Sequence, residues 1–426
     1  GRRPYRLAPL HMCVMALTLI SSARAQDVET AYAKIRGASP EVVIAALECG
    51  DIDTRELALA QIARENRSPE LTRAAAAAVA TVRPPGVRAQ LIAVLAERGD
   101  ASAAPAVRAA LNDPDPTVRA AAAQACGRFK DAKATDDLFG MLDGAQDEVA
   151  REALRRIPDR AIDARLFKQV RKGKGAERVR ALELLSARRA KDIFELALDG
   201  ELFKAGDPAL AKAAAGVIRA YAPAGSFERL LDFALALPAP SAELLAGTLS
   251  ATLDEAADRA ACERRLGTAL SSGDPARAPM LTGLLAASQG PDALASLSKR
   301  LESDDLETRK DAIRNLGKWN SEAALVPLVL AAKREHDAGA QTLAWRAVLD
   351  IVKRADKITD FYQPVSAIQQ VIWCAPRRDE KIAALQALPF YHPKAWEVEW
   401  LLTKVETEMP ELAEEAGRVK DALVPP

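Results

Sequence analysis

Four segments of this chain open in the same way. Asp115-Pro-Thr-Val-Arg119 runs into AAAAQACG, and Asp147-Glu-Val-Ala-Arg151 runs into EALRRI. Asp51-Ile-Asp-Thr-Arg55 precedes ELALAQIA, and Asp305-Leu-Glu-Thr-Arg309 precedes KDAIRNLG. The steps between these aspartates are 64, 32 and 158 residues, close to two, one and five periods of 32. Weaker copies fall near the empty registers: Pro84 leads to Arg88, Asp207-Pro208 and Asp274-Pro275 each open an apolar run, and Asp337 leads to Gln341. A unit of this length cannot bury a core alone and must stack on copies of itself. About ten units fit between residues 51 and 380.

The repeated residues have a chemical reason to recur. Aspartate at a helix start accepts hydrogen bonds from backbone N–H groups that have no intrahelical partner, worth about 1 kcal/mol. Proline at the next position gives up an N–H that is free anyway. The pairs Ser39-Pro40, Ser68-Pro69, Asp115-Pro116, Asp207-Pro208 and Asp274-Pro275 are such starts, and Glu307 stands three residues after Asp304, a capping-box spacing. Asp51, Asp115, Asp147 and Asp305 are therefore expected at helix starts. Arg55, Arg119, Arg151 and Arg309 are expected to form a structural ladder, each pairing with its own capping aspartate or with one in the adjacent repeat. Gly127 and Gly317 are expected to end their helices.

Each start precedes an amphipathic run. Trp345, Val348, Leu349 and Val352 follow the i, i+3, i+4, i+7 pattern of one helical face. Second helices are expected over 132–142 and 322–332. Aromatics are 4% of the chain and alanine is abundant, as in Ala74–Ala78. That composition suits short helices packed closely and disfavours a β-sandwich. The fold class read from these patterns is all-α, an α-α superhelix of about ten helical pairs.

The segments 112–127 and 302–317 resemble the HEAT-like repeats associated with phycobilisome lyases, through Asp115, Val118-Arg119, Ala122, Ala125 and Gly127, then Asp305, Thr308-Arg309, Ala312, Leu316 and Gly317. The resemblance is clear over 100–157 and 300–352 and diffuse from 160 to 300. It implies a HEAT-like α-solenoid. It says almost nothing of function, since such repeats serve as scaffolds, assembly factors, lyases or, rarely, enzymes.

The first 25 residues have the three parts of an export signal. Arg2, Arg3 and Arg6 are followed by the apolar MCVMALTLI of residues 12–20 and then by SSARA, with Ala23 and Ala25 at the positions a signal peptidase reads. Cleavage is expected after Ala25, leaving a periplasmic or extracellular protein. The remainder carries 55 basic and 59 acidic residues, because the leader removes four arginines from 59 of each. No later stretch is long and apolar enough for a membrane span. The expected organisation is a leader over 1–25, a repeat solenoid over 26–355 and a divergent helical cap over 356–426. Cys49, Cys126, Cys262 and Cys374 are widely spaced in helical surroundings and read as free thiols, although an exported protein is permitted a disulfide.

Enzyme motifs are missing. After the leader only His336 and His392 remain, too few for a three-histidine zinc site. There is no His-Glu pair of the kind used by HEAT-fold diiron hydroxylases, no Cys-x-x-Cys, no phosphate-binding glycine loop and no Gly-x-Ser-x-Gly. No catalytic residue, metal ligand or cofactor is assigned. Lys168–Lys174 (KQVRKGK), with Arg178 and Arg180, is locally basic and reads as a solvated loop, the alternative being an anion-binding patch. Nucleic acid is disfavoured by net charge and by export.

The tryptophans Trp319, Trp345, Trp373, Trp396 and Trp400 all lie in one quarter of the sequence. Trp345 is expected in the core. Trp396 and Trp400, one turn apart on one helix, either seal the last repeat or meet a partner. Sealing is the expectation. The functional expectation is an exported scaffold or adaptor for another protein, the alternative being a module that holds a glycan or nucleic acid.

Overall fold

The computed structural model describes residues 38–49, 52–65, 68–204, 206–272, 274–354, 362–391 and 395–423. The leader, Asp51 and His392 lie outside the described residues, as do the side chains of Cys49 and Trp396. Among the described residues the structure is helical, with no strand. It forms two compact units, one ending at Lys191 and the other beginning at Asp192. The boundary expected at 355/356 does not coincide with this division, because helical pairs of the same kind continue past residue 362.

The first unit contains α1 (Pro40–Cys49), α2 (Ile52–Ala60), α3 (Pro69–Ala78), α4 (Pro85–Arg98), α5 (Ala104–Ala109), α6 (Pro116–Phe129), α7 (Thr135–Gly140), α8 (Asp147–Arg156), α9 (Arg160–Lys172) and α10 (Ala176–Ala187). They pair in sequence order. The even-numbered helices stack on one another as one layer, and α1, α3 and α5 stack as a second. The second unit contains α11 (Ile193–Ala197), α12 (Glu201–Lys204), α13 (Pro208–Tyr221), α14 (Phe227–Ala236), α15 (Ala239–Glu243), α16 (Ala246–Asp254), α17 (Arg259–Ser272) and α18 (Ala278–Ser288). It continues with α19 (Pro291–Arg300), α20 (Leu306–Leu316), α21 (Leu325–Arg334), α22 (Ala338–Arg354), α23 (Tyr362–Cys374), α24 (Arg378–Ala387), α25 (Ala395–Glu408) and α26 (Ala413–Leu423). From α18 onward the same alternation holds: α20, α22, α24 and α26 stack in one layer, while α21 and α23 stack in the other.

The helix starts follow the capping chemistry. Ser68 Oγ accepts from the N–H of Glu70 and Leu71 at 3.2 and 3.4 Å, ahead of Pro69. Asp115 accepts from Thr117 at 2.8 Å and Val118 at 3.4 Å, Asp207 from Ala209 and Leu210, and Asp305 from Thr308 at 2.8 Å. Asp147 departs from the expectation. It is the first helical residue of α8, the cap position belongs to Gln146, and its carboxylate accepts from Arg151 at 2.6 Å instead of from backbone. The helix begins one residue earlier, so the aspartate falls inside the first turn. The capping-box spacing of Asp304 is likewise not used, since Asp305 is the cap and Glu307 pairs with Lys310 at 3.4 Å.

Gly127 has a different role from the one expected, whereas Gly317 ends α20 as its C-cap residue, in the right-handed conformation (φ −61°). Gly127 is buried within α6, and a β-carbon there would lie 2.8 Å from the Cα of Ala153 in α8. At Gly317 a β-carbon would lie 3.0 Å from the Cβ of Ala347 in α22. These glycines mark where one repeat's helix crosses the next, and α6 is ended by Lys130 in the left-handed conformation (φ 56°). Trp345 is fully buried with Val348, Leu349 and Val352, as its stripe requires. Lys168–Lys172 are not a loop but the last turns of α9; Gly173–Gly175 make the turn into α10.

Candidate partner-binding surface

The arginine ladder is present, with a geometry that differs from aspartate pairing. Arg119 folds back on its own entry loop, donating from Nη1 to the carbonyls of Asp113 and Pro114 at 2.8 Å each, and reaches Gln146 of the next repeat at 3.3 Å. Arg309 repeats this on Ser303 and Asp304 and forks onto Glu335 of the next repeat at 2.8 and 3.1 Å. Arg88 does the same on Val82 and Arg83 and reaches Asp113 at 2.9 Å. Arg55 donates to the carbonyls of Leu47 and Glu48. Gln341 supplies an amide in the same register, donating to Ala332 and Glu335 carbonyls. Each side chain thus supplies donors to carbonyls of the segment that precedes its helix, and Arg88, Arg119 and Arg309 also tie one repeat to the next. Arg151 pairs with its own aspartate, and also lies 3.7 Å from Glu183. The ladder is occupied by the fold. The Arg309 guanidinium holds the Glu335 carboxyl far below its usual range, at about 2.

The described residues contain no cluster of three or more metal-ligating side chains, and no helix among them is long and apolar enough to cross a membrane. Cys126 and Cys262 are buried free thiols, and burial pushes Cys126 up to about 12, away from nucleophilic use. Cys374 is free and exposed.

What remains open is a surface strip in the second unit. α21 buries Leu325, Leu328 and Ala332, leaving Val326 and Leu330, one turn apart, exposed at 55% and 46%. α23 packs beside it, joined by Lys333 Nζ donating to Gln370 Oε1 at 2.8 Å. α25 buries Val398, Leu401, Leu402 and Val405, which turns Trp400 outward at 62% exposure. The expectation that Trp400 seals the last repeat is therefore overturned: leucines and valines of α25 do the sealing against α26. Lys404 Nζ sits 5.0 Å from the Trp373 ring centroid and 5.3 Å from that of Trp400, a cation shared by two indoles. Neither α21 nor α23 carries an acidic residue. Val326, Leu330 and Lys404 were not singled out from sequence, and Trp373 only as one of the clustered tryptophans. The signal was present, since Val326 and Leu330 fall off the buried i, i+3, i+7 stripe of their helix, and Lys404 is one turn from Trp400.

The family of HEAT repeats matches residues 80–156. No curated protein matches the chain. Among solved structures, the karyopherin Kap121p bound to the extreme C-terminus of the protein phosphatase Cdc14p is 13% identical, covering 96% of this chain and 50% of that one with a TM-score of 0.48. This chain thus spans about half the length of that karyopherin. The complex of CpcE and CpcF of phycocyanin lyase from Nostoc sp. PCC7120 is 19% identical over 78% of this chain and 93% of that one, with a TM-score of 0.23. Human deoxyhypusine hydroxylase is 16% identical over 73% and 99%, with a TM-score of 0.24. Residues 80–156, from the turn after α3 to the end of α8, match HEAT repeats, and the chain around them is an all-α solenoid of HEAT-like helical pairs.

Proposed function

We propose that this chain is an exported HEAT-repeat adaptor that binds another protein through the strip on α21, α23 and α25 and carries out no catalysis of its own. The observation that carries this reading is Trp400, a large indole held outward by a fully packed helix. It lies in a strip that also exposes Val326 and Leu330 and bears lysines but, on α21 and α23, no acid. An outward tryptophan costs apolar exposure and is the residue type that anchors protein interfaces. A glycan would stack on flat, unencumbered rings. Here Lys404 covers one face of both Trp373 and Trp400, which favours a protein partner. Export rests on the leader over residues 1–25, and the absence of catalysis on the missing motifs.

The test compares the wild-type chain with a Trp400→Ala/Leu330→Asp variant as bait in the envelope fraction of the native host. Proteins held by the first and lost by the second support the reading; an identical set from both refutes it. N-terminal sequencing of the protein recovered from its host is expected to begin at Gln26, and an intact N-terminus in the cytosol would overturn the export proposal.

A further inference from the structure

The first unit carries a second, chemically different surface. Residues 151–191 hold fourteen Lys and Arg against five Asp and Glu, within a chain whose basic and acidic residues number 59 each. The excess sits on the last two helical pairs of the unit, around a cleft between α7, α8, α9 and α10. Phe139, Gln169, Arg151 and Arg180 line this cleft, with Asp143 and Glu177 also at its walls. On α9, Arg165, Gln169 and Lys172 share one face at i, i+4 and i+7, so Arg165 and Lys172 flank the cleft. Arg165 stacks over the Phe139 ring at 3.9 Å. Lys168, Arg171, Lys172 and Lys174 are exposed beside it.

The acids that face these cations hold them loosely. Arg165 pairs with Asp136 at 2.7 Å and Arg180 with Asp143, but the two aspartates are 94% and 82% exposed. Glu177 points back at its own turn, accepting from the N–H of Lys174 at 3.4 Å. Arg151 keeps two acidic neighbours, Asp147 and Glu183, while its Nε–H is buried at the cleft wall without a hydrogen-bond acceptor. Exposed pairs of this kind contribute roughly 0–1 kcal/mol, so a carboxylate from outside exchanges with Asp136 or Asp143 at little cost. We infer that this cleft and the adjoining ridge of α9 bind an acidic segment of a protein partner, its carboxylates reaching Arg165, Lys172 and Arg180.

The extent of the patch argues for a short peptide over a nucleic acid. α9 is 13 residues long, roughly 20 Å at 1.5 Å per residue. Residues 41–150, which make the rest of the unit, carry more acids than bases. A duplex continuing past α9 would meet that negative surface, whereas phosphate tracking needs a continuous basic stripe. The site is separate from the tryptophan strip, so the two proposals stand or fall independently.

The experiment uses the full chain and fluorescein-labelled octaglutamate, with octaglutamine, a labelled DNA duplex and anionic phosphatidylglycerol vesicles as comparators. Octaglutamate is expected to bind in a salt-sensitive manner and octaglutamine not to bind. Lys168→Glu/Arg171→Glu/Lys172→Glu changes only exposed side chains and is expected to weaken octaglutamate by roughly tenfold or more. Arg180→Gln tests the cleft itself and is expected to weaken it as well, with an unchanged circular dichroism spectrum. A control reversal at Lys212, Lys299 and Lys353 is expected to leave affinity within about twofold. Equal binding of octaglutamine, equal loss in the control variant, or tighter binding of duplex or vesicles that is abolished by the α9 reversal would each overturn the proposal.

Discussion

Replacing Gly127 and Gly216 by alanine should have opposite effects on stability, although both glycines lie inside α-helices of similar length. In a helix interior, glycine to alanine ordinarily gains about 0.5–1 kcal/mol, because alanine loses less backbone entropy on folding. At Gly216 in α13 a new β-carbon would meet nothing within 4 Å, so that gain is expected in full. At Gly127 the same atom would stand 2.8 Å from the Cα and 3.3 Å from the Cβ of Ala153. Carbon atoms rest at about 3.5–4.0 Å, so α6 and α8 must separate by a large fraction of an ångström along their crossing. Overpacking of this kind costs about 1–3 kcal/mol, which outweighs the propensity gain and leaves Gly127→Ala destabilised by about 1–2 kcal/mol. For units of this size that is a melting shift of about 2–8 °C downward, against about 1–4 °C upward for Gly216→Ala. The tryptophans make the assay selective, since all of them lie between residues 319 and 400, in the second unit. Far-ultraviolet circular dichroism follows both units, and tryptophan fluorescence follows the second. The reasoning fails if Gly127→Ala raises the dichroism-detected midpoint as Gly216→Ala raises the fluorescence-detected one.

Trp345→Ala is expected to destabilise the second unit by roughly 3–5 kcal/mol, read from its denaturant midpoint, because the side chain is fully buried. Trp400→Ala should shift the melting temperature by no more than about 4 °C, since the indole is mostly exposed and its lysine contact is worth about 0.5–1 kcal/mol; a larger drop would restore the sealing role. Arg309 depresses Glu335 from the usual 4.5 to about 2, so its stabilisation is fully present above about pH 4.5 and lost as pH falls through about 2. Urea midpoints of wild type and Glu335→Gln should converge over that window, and parallel curves would refute the linkage. Gly290→Ala should destabilise α19, because the new β-carbon would collide with the buried Glu263 carboxylate, which accepts from the N–H of Ala293 at 3.3 Å.

The 32-residue recurrence by itself determined the all-α solenoid of helical pairs, because capping and amphipathic periodicity are local properties. Asp115, Asp305, Ser68 and Asp207 act on N–H groups two or three residues away, and the stripe of Trp345 lies on one helix. Contacts between repeats were not legible in the same way. Which helix crosses at Gly127 depends on the placement of Ala153, 26 residues on, and the arginines choose loop carbonyls and the following repeat because of how the repeats stack. The surface was decided last of all. A tryptophan one turn from another reads alike whether its helix turns that face inward or outward; the rotation of α25, set by Val398, Leu401, Leu402 and Val405 packing into the unit, put Trp400 in solvent. The basic run over 168–174 was visible as composition, but its neighbours Phe139, Arg151 and Arg180 come from three other helices. Local chemistry fixes each element, while side-chain packing between elements chooses the faces left for a partner.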